Sequence, residues 1–358
     1  VAYDYVVVGA GLFGASFARA ATDFGKRVLV IDKRQHIAGM CYTERINGVL
    51  VHTYGPHVFH TDSDKIWKWI TRFSEFYPFM VRTKAIRDGR IYTLPFNLMT
   101  FHQLWGVTTP EEARKKLDSV RVPIKNPVSV EEWALDQFGT EVYEKFILDY
   151  TRKQWGRDPK NLPASILKRL PARLTFDDNY FDDKYQGLPV GGYTELFRRM
   201  LDGIEVRLGV DFFDDQAAFA RMGQVIYSGR IDQFFNYCFG DLEFRSCKFD
   251  TKAMDGDYQG NPVLHYSEAK YPWTRVIEHK HFENPSLSRT MVTWEHPFEC
   301  DRLDMPLYPV NDRKNTMLYD RYRQLPTKVV FGGRLGSYRY RDMHHVIGEA
   351  LALAESLK

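Results

Sequence analysis

A chain of 358 residues is long enough to bury a large core and to divide into two or three domains. Apolar residues make up 44% and charged residues 27%, and no run comes near the roughly 18 apolar residues of a membrane span. The formal net charge of +3 is too small to point to general nucleic-acid binding. Cys41, Cys238, Cys247 and Cys300 lack C-x-x-C spacing, so reduced thiols and no zinc site are expected. The first structured pattern begins at Tyr3, which leaves no room for a signal peptide ahead of it, and a cytoplasmic protein is expected. Aromatic content is high, with 21 Tyr, 25 Phe and 7 Trp, and many of the Tyr and Trp stand beside Arg in polar stretches where sugars and bases can stack.

The chain opens on "YDYVVVGAGLFGASFARAATDFGKRVLVIDKR". Val6-Val7-Val8 reads as a buried strand, and Gly9, Gly11 and Gly14 then fill a G-x-G-x-x-G pattern. Phe13, Phe17, Ala20 and Phe24 recur at helical spacing, and Val28 to Ile31 forms a second strand that delivers Asp32. Each part has a physical role. The glycines permit a tight turn, close approach of backbone to a pyrophosphate, and close helix–strand packing. The helix start offers unpaired N–H groups to phosphate, and Asp32 can accept from a ribose hydroxyl. A dinucleotide site is expected.

Next, "HTYGPHVFHT" carries three histidines and a Gly-Pro turn. His57 and His60 are three apart, but Pro56 and the β-branched neighbours favour a turn and extended chain over a helical metal pair, and no metal is expected. The turn is read as facing the cofactor, with ordinary satisfied histidines as the alternative. From about Leu94 to Pro171 the text is helical. "TPEEA" sets Thr109 as N-cap with Pro110 and Glu112 behind it, and "SVEEWALDQFG" repeats the capping box with Ser129 and Glu132, stopping near Gly139. A further helix places Tyr143, Phe146, Ile147 and Tyr150 on one face. "GLPVGGY" fits a cofactor-side turn or a helix start near Thr194 equally well. From about Lys248 to Tyr308, β-branched and aromatic alternation in "YPWTRVIEHKHF" and "RTMVTW" predicts an antiparallel sheet. The end, "KVVFGGRLGSYRYRDMHHVIGEALALAESL", is a strand, a glycine turn and a helix that match the opening in kind. A nucleotide domain closed by the chain's end, with a long excursion between its halves, favours FAD over NAD. No second nucleotide fingerprint, no G-x-S-x-G and no metal-ligand array appears.

Arginines beside tyrosines suit a diphosphate, because guanidinium is planar and permanently charged and phenols add neutral donors. Arg169, Arg173 and Tyr180 in "KRLPARLTFDDNYF", Arg275 in "YPWTRVIEHKHF", and Arg334, Tyr338, Arg339, Tyr340 and Asp342 in "GGRLGSYRYRDM" are the candidates, each with a surface ion pair as its alternative.

With these residues assembled, the chain resembles the UDP-galactopyranose mutases nearly end to end. The resemblance runs through "GAGLFGA", "YGPHVFHT", "LPFNLMTFHQLWG", "YTRKQWGR", "KRLPARLTFDDNYF", "YQGLPVGGYTEL", "TRVIEHKHF", "YPVND" and "FGGRLGSYRYRDMH". It implies an α/β fold: a Rossmann-type FAD-binding domain with an inserted helical bundle and a twisted antiparallel β-sheet domain, assembled as a homodimer. The FAD domain is expected over 1–75, 190–245 and 325–358, the helical domain with a mobile substrate loop over 94–170, and the sheet domain over 76–93, 171–189 and 246–324. The resemblance makes Arg169 and Arg275 the diphosphate clamp, with Tyr180, Tyr308 and Tyr340 donating to the same phosphates. Phe146, Tyr150 and Trp155 become the uridine pocket and its closing loop, and Asn261 joins the substrate site. His57 and Arg334 face the flavin. Gly9, Gly11, Leu12, Phe13, Gly14, Asp32, Lys33, Gly39, Met40, Gly55, Pro56, Gly333, Arg334, Tyr340, Asp342 and Met343 line the cofactor.

The implied activity is interconversion of UDP-galactopyranose and UDP-galactofuranose with no net redox change, with reduced flavin attacking the anomeric carbon through N5. Arg169, Arg275, His57 and Arg334 are the implied catalytic residues. A UDP-sugar substrate and an external reductant such as NAD(P)H are the implied partners. Alternatives are a flavin-dependent oxidoreductase of the amine-oxidase type, a mutase acting on a 2-acetamido or deoxy sugar, and an inactive nucleotide-sugar-binding protein. One departure stands out. Where the family reads G-G-N-x-Y-T, this chain has Ala38-Gly39-Met40-Cys41-Tyr42-Thr43, and Met40 cannot supply the hydrogen bonds of an asparagine.

Overall fold

The computed structural model describes residues 2–168 and 172–358. Five parallel strands form one sheet in the order Glu205–Leu208, Val28–Asp32, Tyr5–Val8, Gln224–Tyr227, Val330–Phe331. Val6, Val7, Leu29, Val30 and Ile31 have no exposed surface, as expected of strands covered by helices on both faces. The helix Leu12–Asp23 follows the glycine turn, and the C-terminal helix Met343–Ser356 packs on it through Ile347 and Ala350. Tyr5 donates its hydroxyl to the carbonyl of Leu357 at 2.6 Å, so the chain's end closes the layer its beginning opened.

The insertion is helical where capping predicted it. Thr109 with Glu112 and Ser129 with Glu132 both form complete capping boxes, and so do Asn97 and Thr100, which the reading of the sequence had not singled out. The expected stop at Gly139 is a kink: its φ is 79°, and the chain resumes helical turns beyond it. The next face differs from the simple α-helix expected. Tyr143–Leu148 is wound as a π-helix before Asp149–Trp155 returns to α geometry. The wider turn sets Tyr143, Phe146 and Ile147 into the core and leaves Tyr150 half-buried.

A seven-stranded sheet runs in the order Tyr308–Pro309, Phe244–Asp255, Arg289–Cys300, Arg275–Glu278, Val263–Tyr266, Thr83–Arg87, Arg90–Leu94. It is antiparallel as expected except at one join, where Val263–Tyr266 pairs parallel with Thr83–Arg87. Those two strands come from opposite sides of the helical insertion, and a parallel pair needs such a crossover. The expected alternation through "EHKHF" also ends early, in a short helix Lys280–Glu283. Pairing register lines up one row of side chains across five neighbouring strands: Phe249, Glu295, Arg275, His265 and Ala85. A small sheet joins Phe59–Thr61 to Tyr185–Pro189, which brings "YGPHVFHT" beside "YQGLPVGGY". The second of these opens the helix Tyr193–Met200, and Thr194 bonds Thr43 instead of capping it.

Candidate active site

At the ends of the parallel strands a cleft of about 120 Å³ is lined by Gly9, Gly11, Leu12, Phe13, Asp32, Gly39, Met40, His57, Gly333, Arg334 and Met343. All eleven were expected from the sequence. Arg34, Cys41, Ser228 and Arg341 line it as well and were not. Lys33, expected at the cofactor, is exposed and does not line the cleft; Arg34, the next residue in the bend past the strand Val28–Asp32, is partly buried and does.

The donor set fits a dinucleotide. Gly11 caps the first helix with no side-chain acceptor, so the N–H groups of its opening turn remain for a pyrophosphate. Asp32 accepts the N–H of Ala10 at 2.8 Å through one oxygen and that of Arg34 at 2.9 Å through the other. Its carboxylate thus braces the glycine loop and still has lone pairs for ribose hydroxyls. Gly14 packs behind the cleft, where a Cβ would lie 1.9 Å from the carbonyl oxygen of Gly9. Met40 lies against Arg334, its sulfur 3.9 Å from Nη1, while the same guanidinium donates to the carbonyls of Leu307 and Arg341 at 3.3 and 3.1 Å. Asp342 is the N-cap residue of the C-terminal helix.

His57 Nδ1 lies 2.9 Å from the carbonyl oxygen of Gly55. A carbonyl only accepts, so Nδ1 carries the proton and Nε2 keeps its lone pair. Burial, then the positive charge of Arg334, pull the imidazole down to about 4, and it is neutral at physiological pH. Pro56 sits in the turn between them. His60 points elsewhere, with Nδ1 2.8 Å from Asp183 and its ring stacked on Phe181.

The turn at Gly55 meets the sheet at Arg275. A Cβ there would fall 2.9 Å from Glu295 Oε1 and 3.8 Å from Arg275 Nη2, so only glycine lets the turn come this close. Arg275 gives its Nε and one Nη2 donor to Glu295, the latter at 3.0 Å. Its other edge remains available to an incoming anion. Burial works against the charge, but Glu295 more than offsets it and Arg275 stays firmly protonated.

Around this ion pair the expected aromatics converge. The Tyr150 ring is 5.4 Å from His265, and burial raises its phenol against the opposing charge of Arg275, with Glu295 and Tyr180 adding to the rise. Tyr308 stands 6.3 Å from Trp155 on one side and 5.8 Å from Tyr340 on the other, and the Arg334 guanidinium lies 4.8 Å over the Tyr340 ring. A continuous run, Trp155–Tyr308–Tyr340–Arg334, therefore links the end of the helix Asp149–Trp155 to the dinucleotide cleft. Past Trp155 the chain turns at Gly156 (φ 62°), and Arg157 reaches Glu243 at 2.7 Å and Glu299 at 2.6 Å.

Two expected residues lie apart from this convergence. Phe146 is packed in the helical core against Tyr92 and Phe96. Asn261 spends its amide on the carbonyls of Val263 and Arg82, at 2.8 and 3.3 Å. The residue the sheet sets beside Arg275 is His265, four positions later; burial, then Arg275, lower it to about 3. Arg169 lies outside the described residues.

A Rossmann-type dinucleotide cleft is thus joined to an arginine-bearing, aromatic-lined site on a second sheet, the architecture of a nucleotide-binding α/β protein. The family model for UDP-galactopyranose mutase matches residues 145–340, and that for an NAD(P)-binding Rossmann-like domain matches residues 7–73. The chain is 40% identical to a dTDP-fucopyranose mutase of Escherichia coli, over 98% of this chain and 97% of that one. It is likewise 40% identical to a probable UDP-galactopyranose mutase of Klebsiella pneumoniae, over 98% and 94%. The fold is shared with a crystal structure of reduced UDP-galactopyranose mutase, with a TM-score of 0.73 at 15% identity over 99% of this chain and 95% of that one. The chain belongs to the UDP-galactopyranose mutase family. Among the described residues no helix is long and apolar enough to cross a membrane.

Proposed function

We propose that this protein interconverts the pyranose and furanose forms of a nucleoside-diphosphate galactose, UDP-galactose being the primary substrate, with FAD in the first cleft. Ring contraction breaks and remakes the C1–O bond without net oxidation. Reduced FAD, when bound, supplies the nucleophilic centre that such a reaction needs and the protein's side chains lack. The observation that carries the reading is the placement of Arg275. Its guanidinium is anchored by a buried carboxylate, keeps one edge for a diphosphate, and stands at the turn that carries His57 into the dinucleotide cleft.

The chain's own residues divide the work. Arg275 holds the leaving diphosphate for departure and recapture, with Arg169 as the second arm of the clamp and Tyr150, Tyr180, Tyr308 and Tyr340 around it. Trp155 covers the nucleotide and excludes water that would hydrolyse the open sugar. His57, neutral with Nδ1 committed to the Gly55 carbonyl, lines the cleft and keeps its Nε2 lone pair to accept a proton or a hydrogen bond. Arg334 supplies positive charge beside the cofactor. An external reductant such as NAD(P)H keeps the cofactor reduced, and the protein acts as a homodimer.

A second reading, a 6-deoxy sugar on dTDP, is favoured by the equal identity to the dTDP-fucopyranose mutase. Reduced protein incubated in parallel with UDP-galactopyranose and dTDP-fucopyranose, followed by chromatography of both ring forms, separates the two. A higher kcat/KM for the UDP sugar supports the first reading, and a higher one for the dTDP sugar replaces it with the second.

A further inference from the structure

Lys153 lies in the last turn of the helix Asp149–Trp155, between Tyr150 and Trp155 in sequence. Its Nζ reaches the carbonyl oxygens of Tyr266 at 2.7 Å, Glu268 at 2.9 Å, Tyr271 at 3.2 Å and Trp273 at 2.9 Å. Tyr266 ends the strand Val263–Tyr266, and the other three lie in the loop that joins it to the strand Arg275–Glu278. The four carbonyls therefore run from the residue after His265 to two residues before Arg275.

An ammonium has three N–H groups, so four carbonyls at these distances are held by charge as well as by hydrogen bonds. Carbonyl dipoles turned inward on one point repel each other unless a cation sits among them. The strands themselves do not need it, because their ladder is complete from Val263 to Arg275. What the ammonium fixes is the hairpin's position against the helix. One further contact acts at the same junction, Thr274 bonding the Gln154 side chain at 3.3 Å; from the strand Phe244–Asp255, Arg245 holds the helix end by donating to the carbonyls of Lys153 and Gln154 at 3.0 Å each. Burial pulls the Lys153 amine down to about 8, while Asp149 and Glu268 favour its charged form.

We infer that Lys153 is a positioning residue whose ammonium, held by backbone carbonyls from Tyr266 to Trp273, sets the spacing between Arg275 and the helix that carries Tyr150 and Trp155, and thereby the affinity for the nucleotide diphosphate. The inference rests on the reading of Arg275, Tyr150 and Trp155 as the nucleotide site. Lys153 itself touches neither cleft nor substrate. Its effect passes through the geometry of the clamp, where displacement of about 1 Å lowers a rate or affinity by up to about 100-fold.

The test compares native protein, Lys153→Met and Lys153→Ala, all loaded with flavin, for UDP affinity by calorimetry, KM, kcat and melting temperature. Lys153→Met is expected to weaken UDP binding and raise KM by about 10- to 100-fold while kcat at saturation and the flavin spectrum change little. In Lys153→Ala the vacated carbonyl ring is open to a small cation. Methylammonium should restore part of the UDP affinity, and choline at equal ionic strength should not. A variant with a lowered melting temperature but native UDP affinity and KM would make Lys153 merely structural and overturn the inference. Should Lys153→Met not fold, Lys153→Arg, which keeps the charge but replaces a compact ammonium by a plane, takes its place under the same criteria. Native protein that fails to bind UDP would remove the clamp reading and this inference together. Native binding with unchanged binding in the variant overturns the role of Lys153 alone.

Discussion

Glu295 has 2% of its side chain exposed, while its partner Arg275 has 24%, and this asymmetry makes a sharp prediction. In Arg275→Gln the carboxylate is left in the interior without its cation. Stranding one charge of a buried pair costs about 3–5 kcal/mol, so this variant should lose that much stability or take up a proton at Glu295. Glu295→Gln leaves an arginine near solvent and should cost clearly less. The double variant Arg275→Gln/Glu295→Gln removes both charges; the change at Glu295 is isosteric, and the shorter glutamine at position 275 falls on the partly exposed side of the pair. Its stability should return to within about 2 kcal/mol of native, because neutralising both partners is close to neutral energetically. UDP binding should behave differently. Both variants lacking Arg275 lose the diphosphate contact, worth about 2–5 kcal/mol, or roughly 30- to several-thousand-fold in Kd. Urea unfolding of the four proteins gives the stability cycle, and calorimetric titration with UDP gives the binding cycle. If the stability effects simply add, the ion pair is not the buried unit described. If the double variant binds UDP like the native protein, Arg275 is not the clamp.

Other expectations bear on separate parts of the molecule. Gly14→Ala places a Cβ 1.9 Å from the Gly9 carbonyl oxygen, so the first helix must shift and the protein should purify without flavin absorbance; a yellow, fully loaded variant would contradict the cleft assignment. His52 and His279 are buried and His57 is half-buried at the cleft; all three are held neutral, His57 lowered to about 4 and His279 to about 3, chiefly by desolvation. Unfolded, each titrates at about 6.5, so below that pH the unfolded chain binds protons the folded chain refuses. Stability should be complete above that point and decline steadily toward pH 4, and a urea midpoint constant down to pH 4.5 would refute it. Saturating UDP should slow hydrogen exchange across residues 150–165 and change Trp155 fluorescence, whereas exchange indifferent to UDP would make Trp155 an ordinary helix-end side chain.

What the sequence disclosed was mostly local. The Gly9–Gly14 turn, Asp32 at the end of the second strand, and the capping boxes at Thr109 and Ser129 all depend on residues a few positions apart. The return of the chain through Gly333 and Arg334 was legible because it repeats the opening's strand-glycine-helix order. What stayed hidden depends on long-range register. Asn261 lies two residues ahead of the strand Val263–Tyr266, and only the pairing of that strand with Arg275–Glu278 selects His265. The parallel join of Val263–Tyr266 to Thr83–Arg87 has no local signal, since it unites segments separated by the whole helical insertion. The π-turn at Tyr143–Leu148 was invisible for a different reason: its residues repeat at spacings that suit an α-helix as well. Met40, flagged by its departure from the family pattern, does lie against Arg334, but as a thioether contact in place of an amide's hydrogen bonds.

Whether the proposed isomerisation depends on reduced FAD and consumes no electrons is decided by anaerobic turnover of one preparation in two redox states. Protein reduced with dithionite and the same protein left oxidised are each given UDP-galactopyranose without oxygen, and the products are separated and weighed by mass spectrometry. Many turnovers per reduction are expected in the first sample, with a product equal in mass to the substrate, and almost none in the second. Full activity of the oxidised protein, or a product lighter by two hydrogens, would contradict the proposal.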